Sequence, residues 1–81
     1  MTLNQLLYFQ KIAAMGNMGK AAKALHISQP SLSVSISNLE KELNLSLFHR
    51  NGHNLELSAE GEQLLAHAEA ILADLQAAQL H

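Results

Sequence analysis

The sequence predicts a mainly α-helical domain with a three-helix core, a small β-hairpin and a long C-terminal helix. Three features predict this fold class. Apolar residues recur at helical spacing in separate segments, residues typical of helix N-caps precede these segments, and an Asn-Gly pair divides two short alternating stretches. The length of 81 residues corresponds to one domain.

The first two helices are predicted to be short. Thr2 and Gln5 have the spacing of a capping box before a helix over 3–15, and Gly16 is a typical residue for its C-terminal end. The alanine-rich segment 20–25 predicts a second helix of about two turns, because alanine has the highest helix propensity.

The third helix has clear signals for its start and for its buried face. Ser28 is a strong N-cap residue, and Pro30 falls in the first turn, where its missing N–H costs nothing. An apolar stripe follows at spacings of four, three and four residues: Leu32, Ile36, Leu39 and Leu43. These features predict a helix over 29–43 with one face in the core.

A β-hairpin is predicted after this helix. Asn51-Gly52 is a favoured two-residue hairpin turn, and apolar and polar residues alternate on both sides of it. The strands are therefore expected at about 46–50 and 54–57.

The C-terminal helix is predicted to begin after Ser58, an N-cap residue, and to run from 59 to the end. Its apolar and small residues repeat in a heptad-like pattern, which indicates a helix-pairing surface. We expect a homodimer through six of them: Leu64, Leu65, Ala68, Ile71, Leu72 and Leu75. The chain then divides into a domain over 1–58 and a linker and dimerisation helix over 59–81. In the alternative arrangement, this helix folds back on the first helix and buries Leu3 and Leu7.

Charge is divided unevenly along the chain. Residues 1–53 hold all five Lys and Arg residues and two acidic residues, whereas residues 54–81 hold five acidic residues and no Lys or Arg. This division is compatible with an N-terminal part that faces a polyanion and a C-terminal part that faces protein or water. The alternative is two solvated surfaces whose difference in charge has no functional meaning. The chain has no cysteine, which excludes disulfides and thiolate metal sites. We expect a cytoplasmic protein without a membrane segment, because the apolar runs are short.

The second and third helices, joined by a tight turn, have the layout of a helix-turn-helix, in which the second helix of the pair reads DNA. The outward face of this helix is mostly small and polar, with Gln29 at its start and Ser33 beside it. Its members are Pro30, Val34, Ser37, Asn38 and Lys41. Glutamine and serine side chains can hydrogen-bond base edges. The competing interpretation is an ordinary three-helix domain whose polar face contacts only solvent.

Several sequence motifs resemble those of the N-terminal domain of LysR-type transcriptional regulators, and together they extend over nearly the whole chain. They are Leu6-x-Tyr8-Phe9, Ala21-Ala22-x-x-Leu25-x-Ile27-Ser28-Gln29-Pro30-Ser31-Leu32-Ser33, Ile36-x-x-Leu39-Glu40-x-x-Leu43, Leu47-Phe48-x-Arg50 and Leu57-Ser58-x-x-Gly61.

The resemblance implies a winged helix-turn-helix that binds DNA with a dyad-symmetric site. It places the third helix in the major groove, the hairpin on the DNA as a wing, and a small-molecule-sensing domain downstream of the last helix, beyond this chain. It also implies DNA contacts at Ser28, Gln29, Pro30, Ser31, Ser33, Val34, Arg50 and His53. Ser37 and Asn38 are further candidates for DNA contact, because they lie on the outward face of the third helix.

The chain departs from the family pattern at four places. The family usually has arginine at the position of Val34, basic residues near Ser37 and Asn38, and arginine at the wing tip, where this chain has His53. Gly19 stands where a serine or threonine would cap the second helix. Fewer cations weaken the phosphate contribution to affinity but leave the fold intact.

Two other function classes are open at this point. The C-terminal helix could make the chain a protein-interaction module that uses the helix-turn-helix only as a scaffold. A small hydrolase or metal enzyme would need a nucleophile or a complete ligand set. His49 and His53 flank the hairpin turn, but two histidines do not complete a zinc site. We therefore expect no enzyme activity, no metal and no cofactor.

Overall fold

A computed structural model describes residues 1–79, and within this range the chain forms four α-helices and one two-stranded antiparallel sheet. The order of the elements is α1 (Leu3–Met15), α2 (Met18–Leu25), α3 (Gln29–Leu43), β1 (Phe48–Asn51), β2 (Asn54–Leu57) and α4 (Ala59–Ala78). The last helix ends at Ala78, with Gln79 as its C-cap in an extended conformation, and not at the end of the chain as predicted. Residues 80 and 81 lie outside the described residues.

Side-chain caps begin the helices where the sequence predicted them. The Thr2 hydroxyl accepts a hydrogen bond from the Gln5 N–H at 3.1 Å, and the Gln5 side chain accepts one from the Thr2 N–H at 2.8 Å. Ser28 caps α3 in the same way at 3.1 Å, and Ser58 caps α4 at 2.9 Å. Each cap satisfies a backbone donor that the first helical turn leaves unpaired, so these four residues set the starts of three helices.

The start of α2 corrects the prediction. Asn17 is the N-cap, and its side-chain oxygen accepts a hydrogen bond from the Lys20 N–H at 2.9 Å. The helix therefore begins at Met18, two residues earlier than predicted, and the expectation that Gly19 occupies the cap position is wrong. Gly19 is the second residue of the helix, and Asn17 supplies the cap in its place.

The hairpin turn is one residue later than predicted. Asn51 pairs with Asn54, so the two turn residues are Gly52 and His53 and not Asn51 and Gly52. Gly52 has a φ of 65°, the positive value that two-residue hairpin turns require at their first position. Across the strands, Asn51 donates a hydrogen bond to the carboxylate of Glu56, which supports this register.

The core lies between the three short helices and the base of the hairpin. Its largest fully buried side chains are Phe9, Ile12, Leu32, Leu39 and Leu47. The Phe9 ring lies 5.3 Å from that of Phe48, which is the first residue of β1. The apolar stripe predicted for α3 thus forms one wall of the core, and the opposite face of α3 points outward.

Backbone hydrogen bonds fix the hairpin against three helices. The Leu47 N–H donates to the Glu40 carboxylate of α3 at 2.7 Å, and the Leu47 carbonyl accepts from the Ser58 N–H at 2.9 Å. On the other strand, the Leu55 N–H donates to the carbonyl of Gly16, the C-cap of α1, at 2.8 Å. The hairpin therefore has a defined direction relative to α3.

The N-terminal half of α4 packs against the rest of its own chain. Gly61 and Ala68 are buried, and Leu64 and Leu65 are half-buried against the core. Farther along, Leu72 is half-buried, whereas Ile71 and Leu75 are each 41% exposed. The predicted dimerisation stripe is thus partly covered within the domain, and Ala68 is too deep to reach a partner.

The alternative arrangement of α4 is borne out in its packing against α1, but not in the burial of Leu3 and Leu7. Although α4 contacts α1, Leu3 and Leu7 remain 47% and 39% exposed. No helix in the described part of the chain combines the length and the hydropathy needed to cross a membrane.

Candidate nucleic-acid interface

The outward face of α3 is exposed along its length, as expected for a helix that inserts into a groove of DNA. All of the candidate contact residues on this helix are accessible to solvent: Gln29, Pro30, Ser31, Ser33, Val34, Ser37 and Asn38. Residues 29–39 contain no charged side chain. This part of the face can therefore supply hydrogen bonds and apolar contacts, whereas the one cation of α3, Lys41, lies in the last turn of the helix.

A polar cleft of about 320 Å³ opens between the start of α3, the start of α2 and the hairpin. Gln29 and Ser33 line it from α3, and Arg50 and His53 line it from the hairpin. These four residues were predicted from two separate segments of sequence, and the structure brings them to one place. The cleft thus joins hydrogen-bonding groups on the helix to the cationic Arg50.

The other candidate residues lie in different positions. Pro30, Ser31, Val34 and Asn38 line a second, shallower groove on the other side of α3. Ser37 faces a third hollow at the C-terminal end of the helix, next to Lys41. The interface predicted from sequence is therefore a surface about the length of α3 with two grooves and one hollow.

Ser28 has a structural role in the cap of α3. Its hydroxyl accepts the Ser31 N–H and donates to the Ser31 hydroxyl at 2.8 Å. Because its own proton is directed to Ser31, Ser28 positions the start of the helix. Ser31 can then donate its hydroxyl proton to an external acceptor.

Several residues that line these grooves were not among the predicted contacts, and three of them bear on the geometry of the site. Asn17 and Gly19, at the start of α2, line the polar cleft, and Gln5 of α1 lines the shallow groove. A methyl group on Gly19 would lie 3.4 Å from the side-chain oxygen of Gln29, so Gln29 lies against the first turn of α2. Asn17 has a recognisable signal in the sequence, because asparagine directly before a helical segment is a preferred N-cap.

The hairpin carries both signs of charge. Arg50 is exposed on β1, and its cross-strand partner is Leu55. The neighbouring His49 has its Nε2 atom 3.4 Å from a carboxylate oxygen of Glu56. His49 therefore pairs with Glu56 across the strands and not with His53. Within residues 1–79, no three histidine or acidic side chains come close enough together to hold a metal ion.

Comparisons with known proteins agree with this geometry. Residues 3–62 match the family described as bacterial regulatory helix-turn-helix protein, lysR family. A relative from Chlorokybus atmophyticus, named as a probable RuBisCO transcriptional regulator, is 46% identical over 72 residues, which cover 89% of this chain and 23% of the relative. The chain spans about a quarter of the length of the curated relatives it matches.

Solved structures show the same fold. The structure of BenM_DBD with benA site 1 DNA superimposes with a TM-score of 0.90 at 34% identity, over 94% of this chain and 88% of that chain. The CbnR_DBD–DNA complex superimposes with a TM-score of 0.89 at 39% identity, over 94% and 87% of the two chains. The prediction of a mainly α-helical winged helix-turn-helix is thus confirmed, and the chain belongs to the lysR family of bacterial regulatory helix-turn-helix proteins.

Proposed function

We propose that this chain is the sequence-specific DNA-binding domain of a transcriptional regulator, with α3 in the major groove and the hairpin as a wing. The observation that carries the proposal is the polar cleft, which joins Gln29 and Ser33 of α3 to Arg50 and His53 of the wing. Similar chains have been solved with DNA, and the relatives are named as transcriptional regulators. The family is one of regulators, which favours this function over a hydrolase or metal enzyme.

The geometry suggests separate roles for the two sides of the cleft. The major groove admits an α-helix, and a glutamine side chain can pair with both N6 and N7 of adenine. Ser33 lies one turn after Gln29 and can reach the edge of a neighbouring base. Arg50 supplies the charge for a backbone phosphate, and the N-terminus of α3 adds its positive dipole end.

Base readout through α3 predicts a sequence-dependent loss on mutation. After selection of bound sequences from a random duplex pool, Gln29→Ala and Ser33→Ala should each cost about 1–3 kcal/mol at the selected site and less on random DNA. Fluorescence anisotropy with both duplexes measures the difference. Gln63→Ala, the same change on the exposed surface of α4, is the control and should change neither affinity. Equal losses on both duplexes would assign Gln29 and Ser33 to backbone contacts.

A phosphate contact by the wing predicts a change in salt dependence. Arg50→Ala should weaken binding to all duplexes and reduce the slope of log K against log salt by about 0.9, the value of one phosphate contact. Arg50→Lys keeps the charge and should keep the slope. A lower melting temperature with an unchanged slope would instead show that Arg50 stabilises the hairpin.

A homodimer through α4 is the second part of the proposal. Ile71 and Leu75 are exposed apolar side chains on one side of the helix, and Leu72 lies half-buried beside a groove between α4 and α1 that Leu7 also lines. Ala68 is excluded from this surface by its burial, and Leu64 and Leu65 contribute only their exposed parts. Two copies related by a twofold axis would present two α3 helices to a dyad-symmetric DNA site.

The proposal also divides the chain into a DNA-binding part over 1–58 and a linker and dimerisation segment over 59–81. Because the relatives are about four times longer than the matched region, we place a small-molecule-sensing domain after α4 and expect an effector to act through it. Because the family is one of bacterial regulators, we expect the protein to meet its DNA in the cytoplasm. The interaction-module alternative predicts no shift of any duplex at low salt, which a gel-shift assay tests directly.

A further inference from the structure

The outward face of α3 has an unusual apolar side chain at its centre. Val34 is 59% exposed, more than any other large hydrophobic residue in the described range. Pro30 lies one turn before Val34 and Asn38 one turn after it, and both line the same shallow groove. The remaining residues of this groove are polar and uncharged: Gln5, Ser31 and Ser35. The groove thus has an apolar centre, formed by Pro30 and Val34, beside hydroxyl and amide groups.

The base edges in the major groove differ in how well they match such a centre. Guanine, adenine and cytosine present hydrogen-bonding groups there, whereas thymine also presents its C5-methyl group. A valine over a hydrogen-bonding edge removes water from that edge without supplying a partner, which is unfavourable. A valine over the thymine methyl buries two apolar groups against each other, which is favourable.

We propose that Val34 makes this chain select thymine at one position of each half-site, by packing its methyl groups against the C5-methyl of that thymine. The proposal rests on the proposed DNA-binding function and adds to it the identity of a base. Arginine, which the family usually has at this position, would read guanine through O6 and N7. This chain therefore differs in preferred sequence from relatives that keep the arginine.

Replacement of thymine by deoxyuridine tests the contact, because it removes the methyl group and leaves base pairing unchanged. In the selected duplex, thymines are replaced one at a time, and the dissociation constant is measured with the 81-residue chain and with its Val34→Ala variant. With the unmodified chain, one position in each half-site should lose about fourfold, the factor that corresponds to ~0.8 kcal/mol for one buried methyl-sized group. With Val34→Ala, the same replacement should cost almost nothing.

The variants should remain folded. Val34 is exposed and alanine is the better helix former, so circular dichroism should show an unchanged or higher melting temperature for Val34→Ala. A second variant, Val34→Arg, should change the selected base at this position from thymine to guanine. The remaining thymines of the duplex serve as internal controls, since their replacement should not depend on the residue at position 34.

The outcomes separate this proposal from the one on which it rests. If no duplex is bound at low salt, the DNA-binding function itself is wrong. If a duplex is bound tightly but no replacement of thymine matters, the chain binds DNA without this contact. If one thymine methyl matters equally with and without the valine, another residue, such as Pro30, makes the contact and the assignment to Val34 is wrong.

Discussion

Gly61→Ala is expected to lower the free energy of unfolding by about 2–3 kcal/mol, close to the upper end for overpacked sites. A methyl group on Gly61 would lie 2.2 Å from the carbonyl oxygen of Leu47 and 3.0 Å from the Leu57 side chain. The Leu47 backbone cannot easily move, because Glu40 and Ser58 hold its N–H and its carbonyl. The start of α4 must therefore separate from the base of the wing. Thermal unfolding followed by circular dichroism should show a melting temperature lower by roughly 10–20 °C.

Gly19→Ala is the matched control, because Gly19 also lies in the first turn of a helix. There the added methyl group meets only side-chain oxygens, at 3.4 Å. The gain in helix propensity, at most ~1 kcal/mol, should then leave the domain unchanged or slightly more stable. A Gly61→Ala variant that melts within a few degrees of Gly19→Ala would contradict the proposed close contact between α4 and Leu47.

The elements that the sequence predicted well are those with local causes. A cap at Ser28 or Ser58 depends on a hydrogen bond to a residue three positions later, so the sequence itself contains the signal. The apolar stripe of α3 is likewise visible as a repeat. Leu32, Ile36 and Leu39 are buried as predicted, and Leu43 at its end is half-buried. The bounds of α1 and α3 agree with the prediction for the same reason.

Two elements differ in position from the prediction, and for the hairpin the cause is contact between segments that are separate in the sequence. The observed hairpin turn lies one residue after the predicted one, because strand pairing and the Asn51–Glu56 hydrogen bond decide the register. The residues around Asn51-Gly52 do not by themselves specify how the two strands pair. The start of α2 is a different case, because Asn17 was a local signal that the alanine-rich segment obscured.

The candidate interface was predictable only in part. The sequence indicated which residues on α3 point outward. The polar cleft, however, exists because the hairpin folds back toward the connection between α1 and α2, where the Leu55 N–H donates to the carbonyl of Gly16. A heptad-like repeat similarly indicates that one side of α4 is apolar, but it does not indicate whether each residue packs against its own chain or is left exposed. Ala68 is covered by its own domain, and Ile71 is not.

Because Ile71 is exposed whereas Ala68 is buried, we expect the second large effect at Ile71: the variant Ile71→Asp should lose both the dimer and much of its DNA affinity. If Ile71 and Leu75 pair two copies, a carboxylate at position 71 would be placed in an apolar interface without a partner, and the dimer should dissociate. Each chain would then hold one half-site alone. Since joining two binding units raises affinity by about 10²–10⁴ when the geometry fits, DNA affinity for the dyad-symmetric site should fall by at least about 100-fold.

Ala70→Asp is the control that isolates the interface from the helix. Ala70 is exposed on the other side of α4 from Ala68, and Asp74 lies one turn away from position 70 as it does from position 71. Ala70→Asp loses more helix propensity than Ile71→Asp, because alanine is the better helix former, and both variants suffer similar repulsion from Asp74. Only Ile71→Asp alters the apolar surface, so a loss of the dimer in this variant alone cannot come from a weakened helix. Light scattering over a concentration series should show a dimer for the unmodified chain and for Ala70→Asp, and a monomer for Ile71→Asp. A monomer at every concentration for the unmodified chain, with DNA affinity unaffected by Ile71→Asp, would mean that α4 does not pair two copies and that the exposed Ile71 and Leu75 serve a different contact.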